Sequence, residues 1–209
     1  MPTLSATKNR VQCLACGRLA SKRNRYCSAH ARRLWRYGSP TAMPVTYRTH
    51  VAPRFSRWIA DGYRRWHDHP AMQAGRELAE RCLTYTYEPD PNVARVASWV
   101  AAARVMHELR ANGVTPESLM LRVAGMAAPF DAEPHRCPGQ VAENMALGRA
   151  VAHLVQWTGQ GRGQGKMMLL AVAAHVREHL MAWALAFVRR LHADLQQDAE
   201  LAKRAMTFD

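Results

Sequence analysis

The spacing of cysteine and histidine constrains this chain more than any other feature. Residues 13–30 read CLACGRLASKRNRYCSAH, so Cys13-x-x-Cys16 stands a ten-residue spacer ahead of Cys27-x-x-His30. Two close ligand pairs joined by a hairpin-length spacer suit a tetrahedral zinc ion. Each pair leaves a tight turn, and the spacer brings the chain back to the metal. Thiolate and imidazole are the donors that a borderline-soft ion prefers. Four protein ligands leave no position open for water, so the zinc expected here is structural and folds a module too short for its own core.

Local signals agree with that reading. Gly17 follows the second cysteine, where a knuckle needs positive φ. Ser28 is placed to cap a helix over residues 29–37, which Gly38 and Pro40 close. Knuckle, hairpin and ligand-bearing helix in that order make a treble-clef-like layout. On the helix Arg32, Arg33 and Arg36 fall on one side, and Leu34 is expected to face the hairpin.

Charge adds a second constraint. The 29 Lys and Arg exceed the 16 Asp and Glu by 13, for a pI near 10.3. The excess is concentrated at the front, because Asp61 is the first acidic residue of the chain. A one-sided basic surface on a zinc scaffold is the footprint of phosphate binding, and the preference for Arg over Lys favours bidentate contacts. The candidate contacts are Arg18, Lys22, Arg23, Arg25, Arg32, Arg33 and Arg36 on the module, Arg48 beyond it, and Arg54, Arg57, Arg64 and Arg65 on the next helix. An acidic protein or an anionic membrane surface would attract the same charges.

The pattern CxxCGR…YCxxHxRRxxRYGxP resembles zinc modules of phage and mobile-element proteins, some of them attached to HNH nucleases. Its CxxCGR opening is also similar to zinc-binding proteins of the small ribosomal subunit. The resemblance covers about thirty residues and implies nucleic-acid binding, DNA before RNA. For the chain it implies an accessory factor in recombination, replication or transcription of a mobile element.

The remainder reads as helical, so the expected fold is mainly α: a zinc-binding module over residues 1–40, an extended basic arm over 41–53, and an all-α domain over 54–209. The arm holds Pro44 and Pro53 and shows no helical period. Past it, Phe55, Trp58, Ile59, Gly62 and Trp66 make an amphipathic stripe. Helices are expected over 71–83, 93–112, 115–128, 140–157 and 167–203, with loops at 84–92 and 129–139 and a glycine-rich loop at 159–166. The last helix, at roughly 50 Å or more, spans the domain, breaks once or projects into a partner. The near-neutral helical part is expected to dimerise or to hold another protein. No apolar segment suits a membrane span or a signal peptide, and Cys82 and Cys137 stand too far apart for a disulfide framework, so a reducing cytoplasm is expected.

Other constellations are weaker. His50, His67, Asp68 and His69 would be the residues of an HNH-type nuclease, but they lack the ββα setting, so no catalytic residue is assigned. His175-x-x-Glu178-His179 matches an inverted zinc-protease pattern, yet only Glu200 remains downstream as a further ligand. The glycine-rich loop lacks the strand and the Ser or Thr of a phosphate-binding loop. His135 with Cys137 offers two ligands, too few for a site.

Overall fold

The computed structural model describes residues 11–20, 25–43, 45–86, 97–155 and 164–206. The described chain is helical, and its one β contact is an isolated antiparallel bridge between Gln12 and Leu19. Helix α1 (Ser28–Tyr37) belongs to the N-terminal module. It is followed by α2 (Arg57–Arg65), α3 (Pro70–Leu83), α4 (Ala97–Ala111), α5 (Pro116–Ala132), α6 (Gln140–Ala152), α7 (Gln164–Val176) and α8 (Ala182–Met206).

Helix α5 is the centre of the molecule. Its ten buried residues run from Leu119 to Phe130 and surround the helix axis, as in a helix packed on every side. Helices α3, α6 and α8 pack on it. The Thr115 hydroxyl accepts from the Ser118 backbone N–H, and Pro116 takes the first turn, where no N–H is missed. The expected stop at residue 129 does not occur: the helix runs through Pro129 to Ala132. Pro129 lies among buried Ala127, Ala128 and Phe130, so the apolar area it covers offsets the lost backbone bond.

Residues 41–53 also differ from expectation. The extended arm is instead folded: Tyr47–Ser56 forms a wide π-type helix leading straight into α2. Thr46 starts it, its carbonyl accepting from both His50 and Val51. That shared carbonyl widens the turn, so Pro53 sits inside the helix. Ala42, Val45 and Val51 are buried in the same core as α5, which supplies the driving force the local sequence conceals. Glu133, just past α5, fastens the segment. Its carboxylate meets His50 Nε2 at 3.1 Å, Arg54 Nη1 at 2.6 Å and Arg136 Nε.

The C-terminal helical run is continuous from Gln164 through Met206, with a second wide segment at Arg177–Met181. This settles the expected long helix as unbroken but re-phased. The His179 ring Nδ1–H donates to the His175 carbonyl at 2.9 Å inside this widened turn. The re-phasing keeps Val176, Leu180, Met181 and Ala184 buried on one side. Gly148 lets α6 approach α7, since a Cβ there would collide with the Leu169 carbonyl. No helix among the described residues is long and apolar enough to cross a membrane.

Two outcomes test this packing. Gly148→Ala drives a methyl into fixed backbone and should cost about 1–3 kcal/mol in urea unfolding, whereas Gly165→Ala, with nothing within 4 Å, should be neutral or slightly stabilising. Glu133 is half-buried, which raises its pKa, but hydrogen bonds from Arg54 and Arg136 outweigh that and hold it below the usual carboxylate range. A depressed carboxylate stabilises the fold above its unfolded pKa and loses that contribution as pH falls through its folded value. Stability should therefore decline below about pH 4.5, and Glu133→Gln should flatten that limb while costing about 1–2 kcal/mol at neutral pH.

Candidate metal centre and basic surface

The knuckle is built from backbone bonds. The Cys13 carbonyl accepts from Cys16 N–H at 3.2 Å and from Gly17 N–H at 2.8 Å. Gly17 adopts φ 67°, the left-handed value expected of it. The Cys13 N–H donates to the Arg18 carbonyl at 2.6 Å, and the Leu14 N–H reaches across to Arg25 at 3.1 Å. These bonds bring the chain back to Cys27, which begins α1. One detail changes here: Cys27 caps the helix, with no side-chain cap bond, and Ser28 is the first helical residue. The Cys27 thiol points to the cluster, and its extended backbone (ψ 164°) sets the direction of α1. Gly38 closes α1 at φ 75°, donating to the Leu34 carbonyl.

The donor atoms of Cys13, Cys16, Cys27 and His30 all lie within 4.8 Å of one another. Cys16 Sγ and Cys27 Sγ are 3.9 Å apart, and His30 Nδ1 is 3.5 Å from Cys13 Sγ and 3.3 Å from Cys27 Sγ. A tetrahedral ion with zinc's bond lengths has ligand–ligand edges of about 3.8 Å between sulfurs and about 3.6 Å between sulfur and nitrogen. The four donors thus form a plausible metal site, with His30 turned to offer Nδ1. Among the described residues it is the one Cys, His and carboxylate group assembled closely enough to hold an ion.

The thiols are tuned in opposite directions. Burial pushes Cys13 up, but hydrogen bonds from the Cys27 and Ala15 backbone and from His30 outweigh it and bring the thiol down to about 6. At Cys16 a backbone bond from Arg18 pulls the pKa down, yet burial and the neighbouring Cys13 and Cys27 together raise it. One thiolate therefore forms readily and the crowding of a second opposes it, which is the electrostatic situation a bound cation relieves. By contrast Cys82 and Cys137 are buried free thiols, pushed by burial to about 12 and about 11.

The module leans on the helical part through the end of α1. The Arg149 guanidinium donates to the Arg36 carbonyl and lies 5.1 Å from the Tyr37 ring centroid. Gly38 sits against Val141 so closely that a Cβ would clash. Met43 N–H donates to the Arg136 carbonyl at 2.8 Å.

The predicted basic residues separate into two sets. Arg18, Arg25, Arg32, Arg33, Arg36 and Arg48 are exposed, and none has a carboxylate within 4.0 Å among the described residues. Arg54, Arg57, Arg64 and Arg65 are engaged: Arg54 with Glu133, Arg57 at 3.9 Å and Arg64 more closely with Asp61, and Arg65 at 3.8 Å with Asp198. Asp61 was legible in the sequence at helical spacing; Asp198 was not. Lys22 and Arg23 lie outside the described residues. Sequence reasoning also passed over Trp35, which is 58% exposed on α1.

The remaining candidates are placed apart. His50 binds Glu133, His67 Nδ1 contacts Asp68 at 2.9 Å on the surface, and His69 Nδ1 accepts from Ala71 N–H as the cap of α3. His175 is buried, its Nε2 donating to the Cys82 carbonyl at 3.1 Å, and burial lowers its pKa. The glycine-rich loop lies largely outside the described residues. Comparison of the chain with known protein families, curated proteins and solved structures returned no match.

Purified protein should carry about one metal ion per chain by mass spectrometry. Cys16→Ser or His30→Ala should lose most of it. Chelation should melt the module, read as proteolysis between residues 11 and 38, while the helical signal of α3–α8 persists.

Proposed function

We propose that this chain binds DNA without catalysis, using a zinc-stabilised basic module as its contact surface. The observation that carries the reading is the set of six exposed arginines on and beside the Cys/His cluster that have no carboxylate partner among the described residues, in a stretch with no acidic residue before Asp61. Guanidinium groups without carboxylate partners keep their full charge for phosphate, and their binding is driven by release of counterions from the polymer. Zinc suits the three-thiolate, one-imidazole donor set, and four protein ligands give it a structural role. The arginines of α2 contribute less, because Asp61 and Asp198 already neutralise much of their field. The helical part supplies the scaffold and a surface for a second copy or a protein partner. The resemblance of the module to mobile-element zinc modules suggests a role as an accessory factor in recombination, replication or transcription of such an element.

Fluorescence anisotropy with labelled DNA across a salt series tests this. Affinity should fall steeply with salt, with a log–log slope of about −0.7 to −0.9 per phosphate contact. Replacing Arg32, Arg33 and Arg36 by Ala should lower the slope by roughly two to three contacts. Replacing Arg57, Arg64 and Arg65 should change it far less. An affinity indifferent to salt would reject the reading.

A further inference from the structure

We infer that the outer face of α1 is a binding surface for single-stranded DNA, with Trp35 as the platform on which an unpaired base stacks; the inference rests on the nucleic-acid reading above. No side chain of α1 is fully buried, and Tyr37 at its end packs against the core. With successive residues about 100° apart around a helix, His30 and Tyr37 share the side that faces the metal and α6. Arg32, Trp35 and Arg36 then share the opposite side, within an arc of about 100°, and Arg33 flanks it. Trp35 is 58% exposed there.

Trp35 lies outside the packed core, and among the described tryptophans only Trp99, 44% exposed with Tyr85 at 6.5 Å, is comparably open. Trp58, Trp66 and Trp183 all lie against the core, and each has a neighbour that accounts for it: Trp58 stacks on His192, Trp66 sits against His69, and Trp183 donates to the Ala71 carbonyl. Trp35 shares its exposed side of α1 with Arg32 and Arg36 by helical spacing. Aromatic faces between cationic side chains are how proteins hold single strands: the cations follow the phosphates and the ring takes a base. Duplex DNA does not use such a platform, because its bases already stack on each other. The edges a duplex does expose are read by multiple hydrogen-bond donors and acceptors, whereas an indole offers one N–H. The charge on this face also selects against an uncharged protein partner, since Arg32, Arg33 and Arg36 lack carboxylates of their own among the described residues.

The test uses the full chain loaded with zinc, with three labelled probes of one mixed sequence: single-stranded DNA, the duplex, and single-stranded RNA. Wild type should bind the DNA single strand more tightly than either of the others at equal salt. Trp35→Ala should weaken single-strand binding by on the order of tenfold or more, with duplex affinity and the salt slope unchanged. Trp35→Phe should restore most of the loss. Metal content and circular dichroism should match wild type, because the side chain supports no core. Salt-dependent binding that ignores Trp35→Ala, or a loss shared equally by duplex and single strand, would overturn the stacking role and leave DNA binding standing. Tighter binding of RNA would overturn the assignment to DNA. No salt-dependent binding of any probe would instead remove the nucleic-acid reading itself, and capture of an acidic protein through Trp35 would then replace it.

Discussion

A ten-residue helix that touches the core only at its last turn, through Tyr37 and Gly38, has little packing to hold it in place, and α1 is such a helix. What organises it is the convergence of four donor atoms from two short segments, Cys13 with Cys16 and Cys27 with His30. Short helices are marginal in water, and the isolated bridge between Gln12 and Leu19 is too small to compensate. The arginines of α1 thus take their arrangement from the donor cluster at one end of the helix and from the contacts of Arg36, Tyr37 and Gly38 with α6 at the other. A structural ion lets a module present charged and aromatic groups to solvent that a packed domain would have to turn inward.

The helical part solves a different problem. Its core is held by apolar burial around α5, with small residues at the closest approaches and a few charged clasps at the rim. Glu133 is the most connected of these, joining His50, Arg54 and Arg136 to the end of α5. It consumes positive charge that a sequence count would assign to a ligand. Asp61 and Asp198 do the same for α2. Residues 1–40 hold nine Lys and Arg and no acid, so nine of the thirteen net charges lie on the module that carries the Cys13, Cys16, Cys27 and His30 cluster.

Much of this was legible in the sequence where the controlling interactions are local. The ligand pairs, the positive-φ glycines at 17 and 38, the Thr115 and Pro116 start of α5, and the apolar stripe through Ile59 and Gly62 are all short-range signals, and the structure carries each of them. The segment at 41–53 was misread because two prolines dominate its local preference, whereas burial of Ala42, Val45 and Val51 decides its conformation. Pro129 misled in the same way.

The sequence by itself determined a four-ligand module, an early basic excess and a helical remainder, because spacing, charge and periodicity are properties of neighbouring residues. Only the tertiary structure decided which arginines lack a carboxylate among the described residues, that the arm folds into the core, and that Trp35 faces solvent while Trp58, Trp66 and Trp183 lie against the core. Those outcomes depend on residues far apart in the chain, such as Arg65 with Asp198 or Arg54 with Glu133, whose meeting is set by how the helices pack around α5.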